Sequence, residues 1–432
     1  MTIIGLDDTD SRVDGMCTTY LATQIGRKIE AAGHAVDNYR LVRLNPAVKH
    51  KTRGNAALAI ETDCPVSKAA SVAKPLIDRT AIDTDPRTSP GLVIAPVSSE
   101  NVPPEVASFS RQAVREIHDI ETAVSLADTY GYDHYAWAGA GCTVAGRGRI
   151  GALAAIGAAA AFEKWTYEHI SYREFDRCGT PRNIAYDSVF AAADSGYPTV
   201  WDTVDREENQ AVCVPNAPGP ILHGIRGDDP KACQRVAAQI DSERVDCATT
   251  FVTNQGTDAH LTSISVGSLT HGRGYLLSGV VESPPETKEG GHVFFHFATG
   301  ESIEPQSLVC AAFEPTKRFR THVRNLRVGD ALTVCGEFTE GTLKLEKFAV
   351  RSLNQTAAVT PPCPDCDRRM KSAGRNAGYR CRKCGTTAPG KIETFVDREL
   401  ETGWYEVPPC ARRHIAKPLI RGGFDARTHP EK

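Results

Sequence analysis

The residues best suited to chemistry come almost at once. An apolar start, Thr2-Ile3-Ile4-Gly5-Leu6, runs into Asp7-Asp8-Thr9-Asp10-Ser11. Three carboxylates at the end of a strand can hold Mg²⁺, which prefers oxygen ligands and travels with nucleotide phosphates. Asp is also a common turn former, so the cluster alone leaves a plain turn open. Gly15-Met16-Cys17-Thr18-Thr19 opens a helical pattern. Thr18 and Thr19 thus lie near a helix N-terminus, where backbone N–H groups attract phosphate and a hydroxyl could accept or relay a phosphoryl group. Simple capping by Thr is the competing reading. Further on, Gly146-Arg147-Gly148-Arg149-Ile150-Gly151 precedes an Ala-rich helix. Its glycines could let amides approach phosphate, and its arginines add charge, although the Gly-Lys-Ser/Thr of a Walker loop is absent. Lys49, Lys51 and Arg53 form a second cationic loop, or else a solvated hairpin. An acidic turn with two cationic loops is what a metal–nucleotide site requires.

Cys363-Pro364-Asp365-Cys366 and Cys381-Arg382-Lys383-Cys384 are the most specific motif in the chain. Two C-x-x-C knuckles present four thiolates, a closed tetrahedral set for a structural Zn²⁺ with no position open for catalysis. Around them lie Arg368, Arg369, Lys371, Arg375, Arg380, Arg382 and Lys383, with Tyr379 among them and only Asp365 and Asp367 opposing. That mixture suits phosphate neutralisation with base stacking, or a solvated basic surface.

These groups need a scaffold. Strand-like runs at residues 2–6, 40–44, 56–62 and 92–96 alternate with helical patterns at 16–32, 66–78, 104–117 and 121–131. An α/β or α+β region follows from that alternation. A second unit, 165–267, shows strands near 212–214 and 220–225, a helix at 231–240 and a strand at 249–253, suggesting a ferredoxin-like fold. From 268 to 355 the pattern becomes five short strands, at 274–282, 292–298, 307–313, 331–337 and 342–350. One helix, 319–326, lies between the third and fourth, as in an OB-fold barrel. A Pro/Thr linker at 356–362 leads to the ribbon, taken as 356–392, and residues 393–432 read as a basic C-terminal tail.

Hydrophobic residues make up 41% and charged residues 24% of the 432-residue chain, which is enough apolar content for large cores. No apolar run approaches a membrane span, and the start lacks the features of a signal peptide, so a cytoplasmic protein is expected. The ten cysteines outside the ribbon read as small buried hydrophobes. Net charge is −3, yet Arg and Lys concentrate beyond residue 353, which fits a local nucleic-acid contact. A non-catalytic OB-fold and zinc-ribbon binder of single-stranded nucleic acid is one alternative. It leaves the acidic turn without a role. A phosphoryl or nucleotidyl transferase acting on another RNA is a second.

Taken together these residues resemble the archaeal agmatidine synthetase (TiaS) family. The similarity runs through Gly5 to Ser11, Gly15 to Tyr20, Arg43-Leu44-Asn45-Pro46, Lys51 to Asn55, and Gly148 to Gly157. It continues at Tyr197-Pro198, Gly224-Ile225-Arg226-Gly227, Gly290 to Phe295, Ala312 to Lys317, the ribbon and Ala411-Arg412-Arg413-His414. The resemblance implies a multidomain α/β plus β protein. Its parts would be a kinase-like α/β catalytic domain (1–164), the ferredoxin-like domain (165–267), the OB-fold barrel (268–355) and the zinc ribbon. It implies cleavage of ATP to AMP, phosphorylation of the C2 oxygen of the cytidine at the first anticodon position of the CAU-anticodon isoleucine tRNA, and displacement of that phosphate by agmatine. By residue matching, Asp7, Asp8 and Asp10 hold Mg-ATP, Thr18 is the autophosphorylated threonine, and the loop from Gly146 to Gly151 cradles phosphates. Agmatine is a dication whose pocket needs carboxylates, and Tyr197, Trp201 and Asp202 are candidates for it.

Overall fold

The computed structural model describes residues 1–11, 13–49, 51, 54–141, 144–263, 269–299 and 306–432. Arg53 therefore lies outside the described residues. The N-terminal half comprises β1 (Thr2–Asp7), α1 (Thr18–Ala31), β2 (Val36–Arg43), β3 (Ala56–Thr62), α2 (Val66–Thr80), β4 (Gly91–Ala95), α3 (Pro104–Arg115), α4 (Ile120–Thr129), β5 (Asp133–Ala136) and α5 (Arg149–Ala161). It continues with β6 (Thr166–Arg173), α6 (Tyr186–Gly196), β7 (Val200–Trp201), β8 (Ile221–Gly227), α7 (Pro230–Ala238) and β9 (Val245–Thr253).

Strand alternation sets the layers. On β1, Ile4 and Leu6 face α1 and α2, while Ile3 faces α3, α4 and α5. Both faces are covered, so β4 is buried throughout and reads as a continuous apolar run. One nine-stranded sheet, in the order β5-β4-β1-β3-β2-β9-β6-β8-β7, passes through both halves. Its seam is the parallel pairing of β2 with β9, with Arg40 opposite Val252 and Leu41 opposite Thr253.

The second unit is β-α-β-β-α-β, with strand order β9-β6-β8-β7. Sequence periodicity missed β6 and α6 and expected a strand at 212–214. No strand forms there. Cys213 N–H donates to Thr203 and Cys213 C=O accepts from Gly224, within a loop that packs an apolar side inward.

A barrel follows β10 (Leu261–Ser263): β11 (Arg273–Val281), β12 (Glu286–Thr287), β13 (Val293–Thr299), β14 (Gln306–Ala312), α8 (Phe319–Arg324), β15 (Ala331–Thr339) and β16 (Thr342–Ser352). The pairing runs from β11 to β13, β14, β16 and β15, and β15 returns to β11, closing five strands. Phe295, Phe297, Phe319 and Phe348 fill the interior.

The ribbon region holds β17 (Thr356–Val359), three two-residue strands β18 (Lys371–Ser372), β19 (Tyr379–Arg380) and β20 (Thr387–Ala388), and β21 (Ile392–Phe395), which pairs with β17. Residues 393–432, expected as a basic tail, are packed instead. β22 (Gly403–Glu406) pairs with β16, and β23 (Thr428–His429) pairs with β22. Trp404, Tyr405, Ile415 and Leu419 are buried. The tail's arginines looked like surface charge but are held by carboxylates: Arg398 by Asp330, Arg412 by Asp202 and Glu406, Arg413 by Glu337.

Among the described cysteines outside the ribbon, Cys17, Cys64, Cys213, Cys233, Cys310 and Cys335 are buried free thiols, while Cys178, Cys247 and Cys410 are half-buried. Among the described residues, no helix is long and apolar enough to cross a membrane.

Candidate active site

Asp7 is the last residue of β1, and Asp8 turns the chain with a left-handed φ of 62°. The turn is tied from several sides. Ser11 Oγ donates to Asp85 (2.7 Å) and accepts from the amides of Val13 and Asp14; Thr88 donates to Asp10 C=O (2.8 Å). Ser11 bridges Gly15, whose φ of 86° suits glycine.

Arg147 closes on this turn, its Nη2 lying 2.6 Å from Asp8 Oδ2 while also bonding Arg87 C=O. Burial pushes Asp8 up to about 6 against the pull of Arg147. Asp7 is raised well above its ordinary value, first by burial and then by the charge of Asp8. Two crowded carboxylates beside one arginine form a cluster that added positive charge would relieve. The three Asp side chains do not meet at one point: among the described residues, only the ribbon cysteines bring three or more ligand atoms within 4.8 Å of one another.

The glycines of the 146–151 loop act chiefly by what they lack. A Cβ on Gly148 would press on Asp7 C=O, and one on Gly151 would overlap Asp7 Oδ2. They let the start of α5 sit on the end of β1. The amides of Gly146, Arg147 and Gly148 already donate to Trp137 C=O, Ser89 Oγ and Ser89 C=O. Gly146 and Arg149 stand off the cavity described below, Arg149 donating to Gly146 C=O and lying 3.3 Å from His134 Nδ1.

Thr18 is the first residue of α1. Cys17 is the N-cap and makes no side-chain cap bond. Thr18 Oγ1 accepts from Thr9 Oγ1 at 3.1 Å. Capping is therefore not its task.

A cavity of about 550 Å³ collects these groups. Asp7, Asp8, Asp10, Thr18, Thr19, Lys51, Arg147, Gly148 and Gly151 all line it. Lys51 Nζ also bonds Pro46 C=O. The cavity wall includes residues that sequence reasoning did not pick for the site: Arg43, Glu168, Arg226, Arg412 and His414. Glu168 is the hub, accepting from Arg226 Nε (3.2 Å) and Gln255 and lying 3.5 Å from Arg43 Nη2. Burial works against its charge, and Arg226 and Arg43 more than compensate, holding it below the usual range. His414 is kept well below its usual range by its enclosure and by Arg43 and Arg226, so it is neutral. Arg43, Arg226 and His414 lay within the family-like runs, but nothing local marked them as neighbours.

Tyr197, Trp201 and Asp202 do not line the cavity. Trp201 Nε1 donates to Asp228, Lys432 covers the Tyr197 ring, and the Asp202 carboxylate is taken by Arg412.

In the ribbon, all four cysteine sulfurs lie within 4.8 Å of one another, with Cys366 and Cys381 3.6 Å apart and Cys384 N–H directed at Cys381 Sγ. That spacing fits tetrahedral Zn²⁺ with Zn–S bonds of about 2.3 Å. Tyr379 packs on the ribbon core, and Phe395, on β21 just beyond it, is exposed.

Three family descriptions match this chain: the TiaS TCKD domain over residues 3–64, the TiaS FLD domain over 146–260 and the TiaS C-terminal zinc ribbon domain over 360–400. The isoleucine-tRNA 2-agmatinylcytidine synthetase TiaS of Haloquadratum walsbyi is 53% identical, with all of both chains covered. That of Methanosarcina acetivorans is 43% identical, again over all of both chains. A crystal structure of TiaS in complex with its isoleucine tRNA and ATP superposes with a TM-score of 0.88 at 39% identity, covering 100% of this chain and 99% of that one. A complex of TiaS with the same kind of tRNA, AMPCPP and agmatine gives 0.85 at 37% identity, with 100% and 99% covered. Likeness of this order along the entire length, reaching both the acidic turn and the four cysteines, means that the chain belongs to the TiaS family.

Proposed function

We propose that this protein joins agmatine to C2 of the cytidine at the first anticodon position of the CAU-anticodon isoleucine tRNA, converting ATP to AMP and phosphate. The observation that carries the reading is the single cavity uniting the Asp7–Asp8–Arg147 cluster, the Thr18 hydroxyl and a basic wall, in a chain whose relatives bear that activity in their name.

Asp7 and Asp8 would hold Mg²⁺ carried by the nucleotide, which commonly uses one or two carboxylates and completes its shell with phosphate and water. When bound, the ion supplies charge neutralisation at the phosphates. Arg147, Lys51 and Arg53 add positive charge, and Gly148 and Gly151 let α5 pack on the end of β1 so that Asp7 is held at the cavity wall. Thr18 offers its oxygen to a phosphoryl group at the start of α1. Of the two phosphoryl groups that ATP loses on becoming AMP, one passes to the cytosine O2 and turns a poor leaving oxygen into a good one, and the other is transferred to water and leaves as phosphate. The agmatine amine then forms the new C2–N bond, the C2–O bond breaks, phosphate departs with that oxygen, and the amine's proton passes to solvent or to the phosphate. The protein's share is orientation and charge, and the base must leave its stack to reach the cavity.

The domain assignment belongs to the same reading. Residues 1–164 are a kinase-like catalytic unit. Residues 165–267 are ferredoxin-like, supported by the β-α-β-β-α-β order and the arrangement β9-β6-β8-β7. Residues 268–355 are an OB fold, supported by closure of five strands with α8 before the fourth. Residues 356–392 carry a structural zinc.

The test is to incubate the protein with labelled ATP, agmatine and the tRNA transcript, then resolve the nucleotides and the RNA mass. AMP formation with agmatine gained by the RNA is expected. Bound RNA without agmatine would overturn the reading.

A further inference from the structure

Away from the acidic turn, the charged groups of the cavity wall are nearly all paired. Asp202 and Glu406 hold Arg412, and Glu168 holds Arg43 and Gln255. Val212, Val214, Pro215, Ile221 and Pro409 add apolar surface to the same cavity. The thiols of Cys213 and Cys410, pushed up to about 12 by burial, stay protonated. Arg226 differs from its neighbours. Its Nε is fixed by Glu168, yet neither terminal nitrogen bonds any described residue, and its side chain, 13% exposed, lines the cavity. Glu168 thus fixes Arg226 on β8 with an unbonded guanidinium fork at the cavity wall.

Such a fork calls for two adjacent acceptors. A nucleotide phosphate that carries Mg²⁺ is drawn to the carboxylates of Asp7 and Asp8 instead, and the agmatine dication finds no unpaired carboxylate here. A nucleobase edge fits apolar walls and a donor pair. Adenine places an amino group beside N1 and N7, and uracil carries a proton on N3. Cytosine presents O2 and N3 side by side; guanine O6 and N7 do likewise, but guanine is not the reacting base.

We propose that the free fork of Arg226 reads the O2/N3 edge of the target cytosine, making Arg226 a specificity-determining residue. This rests on the activity proposed above. Held this way, the ring keeps one O2 lone pair open for phosphorylation. The donors on its edge draw electron density from C2 when the amine attacks, and uracil is rejected because two donors would face each other.

The experiment uses the full-length protein and transcripts bearing cytidine or 3-deazacytidine, which lacks the N3 acceptor, at the first anticodon position. Wild type on cytidine is the control: without agmatine incorporation there, the activity itself fails and this proposal is not reached. The wild type should lose about 10- to 100-fold in kcat/KM on 3-deazacytidine. R226Q and R226K should lose a similar factor on cytidine, lose little more on 3-deazacytidine, and keep the wild-type KM for ATP. A misfolded or merely loosened protein would instead show two penalties that multiply, and that outcome overturns the proposal. A raised KM for ATP with the full 3-deazacytidine penalty retained would place adenine against Arg226 and overturn it as well.

Discussion

Gly151 on α5 rests directly against the carboxylate of Asp7, leaving no room for a methyl group. Gly5, two residues before Asp7 on β1, stands equally close to the backbone C=O of Ala152. The two glycines separate function from folding. Gly151→Ala has better helix propensity by about 1 kcal/mol, but displaces the Asp7 side-chain oxygen. Its Tm should stay close to wild type while ATP cleavage falls about 100-fold, as a misplacement near 1 Å can cause. Gly5→Ala meets backbone that cannot move aside and should destabilise by about 1–3 kcal/mol. Thermal melts and AMP release on both variants check this; equal activity loss with equal destabilisation would refute the distinction.

Asp7 and Asp8 are consecutive, largely buried carboxylates facing one arginine. That crowding costs stability, as sites retained for activity often do. Asp7→Asn removes one of the crowded charges and should raise Tm by about 1–3 °C. The same change should abolish ATP cleavage and leave tRNA affinity intact. A variant that lost tRNA binding would show that the turn shapes the RNA surface instead.

Much of the scaffold is readable from periodicity, because α1, α2, β1, β4 and the barrel strands carry regular apolar patterns. β6 is not, since Glu168, His169 and Arg173 interrupt it. They are tolerated because Glu168 meets Arg226 and Arg43, while Arg173 meets Glu243 at 2.6 Å. Residues 212–214 mislead the other way: apolar residues lining a cavity look like a strand. Asp7, Asp8 and Thr18 were legible as one local cluster. Arg43, Glu168, Arg226 and His414 were not, because sheet pairing and the packed C-terminal segment gather them from four distant parts of the chain. Arg412 and Asp202, 210 residues apart, make the same point for charge.

The ribbon's strands are two residues long, and its buried core is Cys363, Met370 and Cys381. So small a core cannot hold a fold without the metal. Chelation should release about one zinc per chain and expose four reactive thiols, with the barrel and main sheet intact by circular dichroism. Arg368, Arg369, Arg380 and Arg382 are exposed, so losing the ribbon should weaken tRNA binding and flatten its salt dependence. Unchanged affinity after zinc release would remove the ribbon from the RNA interface.

Glu346 on β16 lies 3.0 Å from His260 Nε2, with Arg413 and Lys347 close by. It thus ties the barrel to the segment before β10 and to the packed C-terminal segment. Burial opposes its charge, but His260, Arg413 and Lys347 prevail and bring it from an ordinary 4.5 down to about 2. The sign follows from linkage. Between those values the unfolded chain binds a proton that the folded chain refuses, so acid favours unfolding. The stabilisation is complete above the unfolded value and is lost as pH falls through the folded one, on the order of 3 kcal/mol at most. Urea titrations followed by tryptophan fluorescence, with Trp201 and Trp404 both buried, at pH values of about 5, 4 and 3, should show the midpoint falling. Glu346→Gln should be less stable near neutral pH and should lose much of that acid slope. An unchanged slope in the variant would assign the acid sensitivity to other carboxylates.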